Sequence, residues 1–220
     1  MVLLLIFLIF AALEKGNLSF AHYYWVLYNR AYFPSIYLVI YLFGMIPIVI
    51  RLFVSEIATR HKSKLELVSS LYQKTFYYAA FYTAVCAVTS LFVVLCFSST
   101  KVILSQHQLF LAGTFFVIQT TGWFLIGTLF ILGYVFLKNP VFTFLLCVFS
   151  VVLSMSFTDR YIEMNARTYL SIHDFMYAFY AVKGSWEVVY LAIYALAALI
   201  FAIITYLVIR KYDLLMKLKE

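Results

Sequence analysis

The residues able to do chemistry are few and scattered. The 4 histidines, His22, His61, His107 and His173, lie far apart in a chain of 220 residues. No H-E-x-x-H pair occurs, so the helical spacing that brings two imidazoles onto one zinc is missing. No G-x-S-x-G turn exposes a nucleophilic serine. His173 and Asp174 are adjacent, and neighbours on a helix point in different directions, so the pair alone makes no relay. Asp159 and Glu163 stand four apart with Arg160 placed to pair with Glu163, which reads as a local ion-pair group. The 3 cysteines, Cys86, Cys96 and Cys147, sit inside apolar runs without any CxxC or Cys/His spacing. They read as small buried hydrophobes. No G-x-x-x-x-G-K-[ST] loop is present, and Gly122, Gly127 and Gly133 have no Lys-Ser/Thr after them. The sequence therefore predicts no metal site, no catalytic site and no cofactor bound by this chain. An intramembrane enzyme using one of Asp159, Glu163, His173 or Asp174 is the enzymatic alternative.

The elements around these residues are greasy. Hydrophobic residues make up 66% of the chain and charged residues 11%, far from the roughly 25% charged content of a soluble domain. With a mean hydropathy of +1.00, the composition points to an all-α, polytopic integral membrane protein in the cell membrane. A membrane β-barrel does not fit, because its strands alternate apolar and polar residues, and here the apolar runs are continuous. About 20 apolar residues cross a bilayer. Six spans are predicted, at 2–13, 36–54, 76–97, 109–137, 141–157 and 188–209, within one domain covering 1–220. The first is short.

The net charge of +7 does not indicate nucleic acid, because the basic residues lie at the ends of apolar segments. Arg51, Arg60, Lys62, Lys64, Lys74, Lys138 and the tail residues Arg210, Lys211, Lys217 and Lys219 fall on one predicted face. Lys15, Arg30, Lys101, Arg160, Arg167 and Lys183 fall on the other. The positive-inside rule then puts both termini in the cytoplasm and demands an even number of crossings. No charge is expected in the middle of a span, which removes support for a proton-coupled carrier. The aromatic-rich stretches 17–34 and 158–187 suit short re-entrant or interfacial helices on the outer side.

The loop after the second span carries a patterned segment. Ser63 and Glu66 form an S-x-x-E capping box, and Leu65, Val68, Leu71 and Tyr72 then recur at helical spacing. A short amphipathic helix over 63–72 is predicted. It would either lie at the headgroups or present its stripe to a soluble partner.

This order of features resembles the permease subunits of the second ABC permease class, which have the type V exporter fold. Glu56, Ala58-Thr59, Leu65 to Leu71 and Lys74 fall in that family's order. Ala58 stands where the family usually has Gly, and the Pro usual before the third span is absent. The resemblance implies a cytoplasmic coupling helix between spans two and three, contacting an ATPase through Glu56, Lys64, Leu65, Glu66, Val68, Leu71 and Tyr72. It implies partner ABC ATPase subunits that bind ATP and Mg, and a second permease copy or homologue. Small Tyr/Phe-rich members resemble bacteriocin or peptide-toxin export and immunity permeases of Gram-positive bacteria. Gln119, Thr120 and Thr121 either support helix packing or line a path for an amphipathic peptide or lipid-like cargo. A non-transporting immunity or scaffold protein acting by binding alone is the alternative function.

Overall fold

The computed structural model describes residues 33–53, 63–97, 106–162, 176 and 186–211. These residues are helical, with no strand among them. A π-helical turn, Phe33–Tyr37, leads into α1 (Leu38–Phe53); α2 is Lys64–Phe97, α3 Gln106–Leu137, α4 Pro140–Ile162 and α5 Trp186–Lys211. Three stretches are long and apolar enough to cross a membrane: Phe33–Arg51, Phe116–Leu137 and Leu191–Lys211. Pro140–Met155 is apolar but shorter. The described residues are thus all helical, with three helices able to span a membrane, as in a membrane protein, where the sequence predicted six spans. The stretch 2–13 and Glu56 lie outside the described residues, as do nearly all of 17–34 and most of 158–187.

The short helix predicted over 63–72 is not a separate element. It continues without a break into the segment 76–97, giving one helix of 34 residues, about 51 Å long at 1.5 Å per residue. The reason is compositional: no Gly or Pro occurs between Lys64 and Phe97, so nothing interrupts the hydrogen-bond ladder. The cap forms as the capping box requires, the Glu66 amide donating to Ser63 Oγ at 3.1 Å. Lys74, read from the sequence as a loop charge, therefore sits ten residues inside α2, about 15 Å from its start.

At the other marked turn, Lys138 takes the left-handed conformation with φ 52° and donates its amide to the Tyr134 carbonyl at 2.8 Å, ending α3. Asn139 then caps α4, its Oδ1 accepting from the amides of Val141 (2.9 Å) and Phe142 (3.3 Å), with Pro140 at the first helical position. The tight turn expected at Lys138-Asn139-Pro140 is present.

α3 is the central helix, with 61% of its spanning stretch buried against 39% for α1 and 22% for α5. Side-chain pairings give the directions. Tyr82 and Tyr78 of α2 donate to the carbonyls of Tyr37 in the π-helical turn (2.8 Å) and Tyr41 in α1 (3.3 Å). Val68 packs with Val135 of α3 and Ile209 of α5. Hence α1, α3 and α5 run one way, α2 and α4 the other. The ends that meet carry Arg51, Lys64, Lys138, Arg210 and Lys211, the basic end of the bundle. Its core is aromatic, with Phe33, Tyr37, Tyr41, Trp123 and Phe130 fully buried. Tyr41 lies against Trp123 (ring centroids 4.8 Å apart) and stacks on Tyr78 at 5.2 Å. Small residues admit these rings. A Cβ on Gly127 would stand 2.5 Å from Thr75 Cγ2 and 2.6 Å from the Tyr41 hydroxyl, and one on Gly122 would collide with Met176.

Candidate functional site: a lateral apolar groove

Where α2, α3 and α5 meet toward the basic end, they leave a groove of about 590 Å³. One wall is α2, whose Leu65, Val68, Tyr72 and Phe76 follow one another at helical spacing. Thr121 and Phe124 of α3 form the floor, and the opposite wall is α5. That wall is hollowed by Ala195, Ala198 and Ala202, which lie between the larger Leu199, Ile203 and Tyr206. Tyr72 is fixed on both sides. Its hydroxyl bonds Thr205 Oγ1 at 2.9 Å, and its ring stands edge-on to Phe124, which Phe76 also meets edge-on. Thr205 and Thr121 donate back to the Phe201 and Val117 carbonyls at 2.8 and 2.9 Å. The hydroxyls of Tyr72, Thr205 and Thr121 are thus bonded to the protein itself, and no charged side chain lines the groove. Such a surface suits alkyl or aromatic groups, at a volume typical of small-ligand sites. Its entrance carries the exposed Leu65, Phe76, Leu199 and Ile203.

The structure divides both groups of residues singled out in the sequence. Leu65, Val68, Tyr72 and Thr121 share the groove. Leu71 points away from it and is fully buried in the main core, and Val68 is buried against Val135 and Ile209. The stripe predicted to face a partner is thus largely consumed by packing within the chain. Leu65, 60% exposed, and Glu66 remain at the surface, and Lys64 is half-buried.

Gln119 and Thr120 do not line the groove. Both are buried, with Gln119 Nε2 donating to the Met176 carbonyl at 3.3 Å. Gln119 Oε1, Thr120 Oγ1, Tyr41 Oη and Trp123 Nε1 are buried without a hydrogen-bond partner among the described residues. Unbonded polar atoms are uncommon in interiors, and sequence reading did not single out Tyr41 or Trp123. The sequence reading did not single out the α5 alanines either, because Ala192 and Ala197, outside the groove, are of the same type.

Among the described residues, no group of three or more His, Cys, Asp or Glu side chains is placed to hold a metal ion. Cys86 and Cys147 are both buried. Compared with known proteins, the chain matches no family model, no curated protein and no solved structure.

Proposed function

We propose that this chain is the membrane-spanning permease subunit of an ATP-driven ABC exporter. In this reading it pairs with a second permease copy or homologue and with two ATPase subunits, and moves an amphipathic peptide or another hydrophobic cargo out of the cell. The observation that carries the proposal is the continuity of α2. Its exposed tip at Leu65 and Glu66 and the groove wall at Tyr72 and Phe76 belong to one unbroken helix. A force applied at the tip displaces the wall as a rigid body, because no Gly or Pro hinge lies between them.

The chain's own residues would do the following. The Ser63 cap holds the first turn of α2 in place. Leu65 and Glu66, with Lys64 and the preceding Glu56, offer the contact for the ATPase. The Tyr72–Thr205 hydrogen bond ties α2 to α5, so that movement of α2 opens or narrows the groove between them. The apolar lining receives the hydrophobic part of the cargo. ATP and Mg are bound by the ATPase partner, and its two nucleotide states favour different positions of α2 through different contact energies.

The test is purification from the native host in mild detergent. A soluble ATPase retained with the chain supports the proposal, and its reproducible absence overturns it. Leu65→Asp, at an exposed position, is expected to abolish ATPase retention while leaving membrane insertion intact; an undiminished complex in that variant would also overturn the proposal. Val68→Asp is unsuited to this purpose, because a buried carboxylate between Val135 and Ile209 disrupts the bundle itself.

A further inference from the structure

The groove between α2, α3 and α5 changes character along its length. Val68 packs with Val135 and Ile209, and Tyr72 bonds Thr205, four residues back along α5. The start of α2 thus lies beside the ends of α3 and α5. Thr121, Phe124, Ala195 and Ala198 make the inner end of the groove, and Leu65, Val68, Ser69 and Tyr206 its basic end. At the inner end the Thr121 hydroxyl is already bonded to the Val117 carbonyl, and the backbone of all three walls is helical. The basic end differs. Arg210 is exposed and stands one turn beyond Tyr206, on the stripe of α5 that carries Leu199 and Ile203. Lys64 stands one turn before Val68 on α2. Glu66, the only acidic residue of α2, lies further round that helix, toward Gln73. Lys211 is turned off the groove stripe of α5, in line with Leu207.

Length and width restrict the guest. The α5 wall runs from Ala195 to Tyr206, about 16 Å at 1.5 Å per residue. Spread over that length, the 590 Å³ of the groove leave a channel about 7 Å across. A peptide helix with its side chains is about 10–12 Å wide. An extended peptide is narrower, but its N–H and C=O groups need partners, and the inner end presents apolar side chains. A carbon chain meets neither obstacle. With bonds of about 1.52 Å and angles near 111° it advances about 1.25 Å per bond, so about 13 bonds fill the groove.

We propose that the groove holds the alkyl chain of an anionic amphiphile, with its head against Arg210 and its chain end beside Thr121 and Phe124. This deepens the function proposed above and rests on its reading of the groove as the cargo site. Of the cargoes named there, it selects the amphiphile over the peptide. Contact with the alanines and rings removes the chain from water, and the guanidinium decides which way round the guest lies.

The test uses the full chain reconstituted in phosphatidylcholine vesicles at about pH 9, where a carboxyl group is ionised. The probes are tetradecanoate and tetradecanol, each with a photoreactive diazirine near the chain end. Tetradecanoate is expected to label the inner end, around Thr121, Phe124, Ala195 and Ala198. Arg210→Gln is expected to raise its half-saturating concentration about fivefold while leaving tetradecanol unchanged, and Lys211→Gln to shift neither. Equal shifts in the two variants would mean general attraction to the basic end and overturn the head-group role of Arg210. Labelling confined to Leu65–Ser69 overturns the orientation. An amphipathic helical peptide that displaces the probe as well as unlabelled tetradecanoate does returns the cargo to the peptide class. These readouts need no ATPase, so failure to capture one would remove the exporter and leave the ligand, whereas failed labelling would remove the ligand and leave the exporter.

Discussion

The interior between α1, α2 and α3 and the groove between α2, α3 and α5 are built from the same residue types and end up opposite in character. In the interior, tyrosines face glycines: the Tyr41 hydroxyl reaches Gly127, and the Tyr78 hydroxyl presses against Gly44. The ring fills the space that the missing side chain leaves, and the result is solid. In the groove, Tyr72 and Phe76 face Ala198 and Ala202. Here the aromatic rings turn toward Phe124 and the Tyr72 hydroxyl toward Thr205, and the space in front of the alanines stays open. Polar bonding differs at particular residues as well, although Tyr78 and Tyr82 of the interior are bonded. The hydroxyls of Tyr72 and Thr121 at the groove are bonded within the chain, while Tyr41 and Trp123 in the solid interior keep polar atoms without partners among the described residues. A small residue opposite an aromatic ring thus makes either a core or a cavity, depending on where the ring is anchored.

Substitutions that break this contrast are ordered by their expected effect. Trp123→Ala removes the ring on which Phe33, Tyr41 and Tyr82 converge. It is expected to lower the stability of the detergent-solubilised protein by about 3–5 kcal/mol, read as a shift in a denaturant or thermal unfolding curve. Gly127→Val puts a branched side chain against Thr75 and Tyr41 and is expected to cost about 1–3 kcal/mol through overpacking. A normal unfolding curve for it would mean that the interior is not as tightly closed as described. Tyr72→Phe removes one hydrogen bond while Thr205 keeps its bond to Phe201, so a loss of about 0.5–1 kcal/mol is expected. Ala202→Leu should leave stability nearly unchanged, since it fills space already open. It should weaken binding of a fluorescent fatty acid to the purified chain by about tenfold or more, as expected when a pocket is occupied. Undiminished binding in that variant would place the apolar site elsewhere.

Local chemistry made much of this fold legible in the sequence. The uninterrupted apolar run to Leu137, the Ser63 cap and the Lys138-Asn139-Pro140 turn each report on residues within a few positions of one another, and each is present. Gly127 and Gly133 are sites of close approach between helices. The misreading of α2 had a physical origin. The charge of Lys74 suggests a boundary, yet a lysine does not stop a helix, and the lack of Gly or Pro is the stronger signal. The groove and the buried polar cluster depend on contacts between residues up to 133 positions apart. One helix's periodicity cannot tell which neighbour its stripe meets, so Val68 and Leu71 look equally available to a partner and to their own bundle.

The short link between α3 and α4 has a consequence for how the chain enters a bilayer. Two residues, Lys138 and Asn139, separate the helices, and the three Cα–Cα steps from Leu137 to Pro140 reach at most about 11 Å, little more than the 8–10 Å between packed helix axes. The helices must therefore double back on one another from their first turn. Once the longer arm is threaded, the entry point of the shorter one is already fixed. Val141, Phe142, Leu145 and Phe149 remain exposed on that shorter arm, so it has little to gain by staying in water. The two arms should partition as a single hairpin.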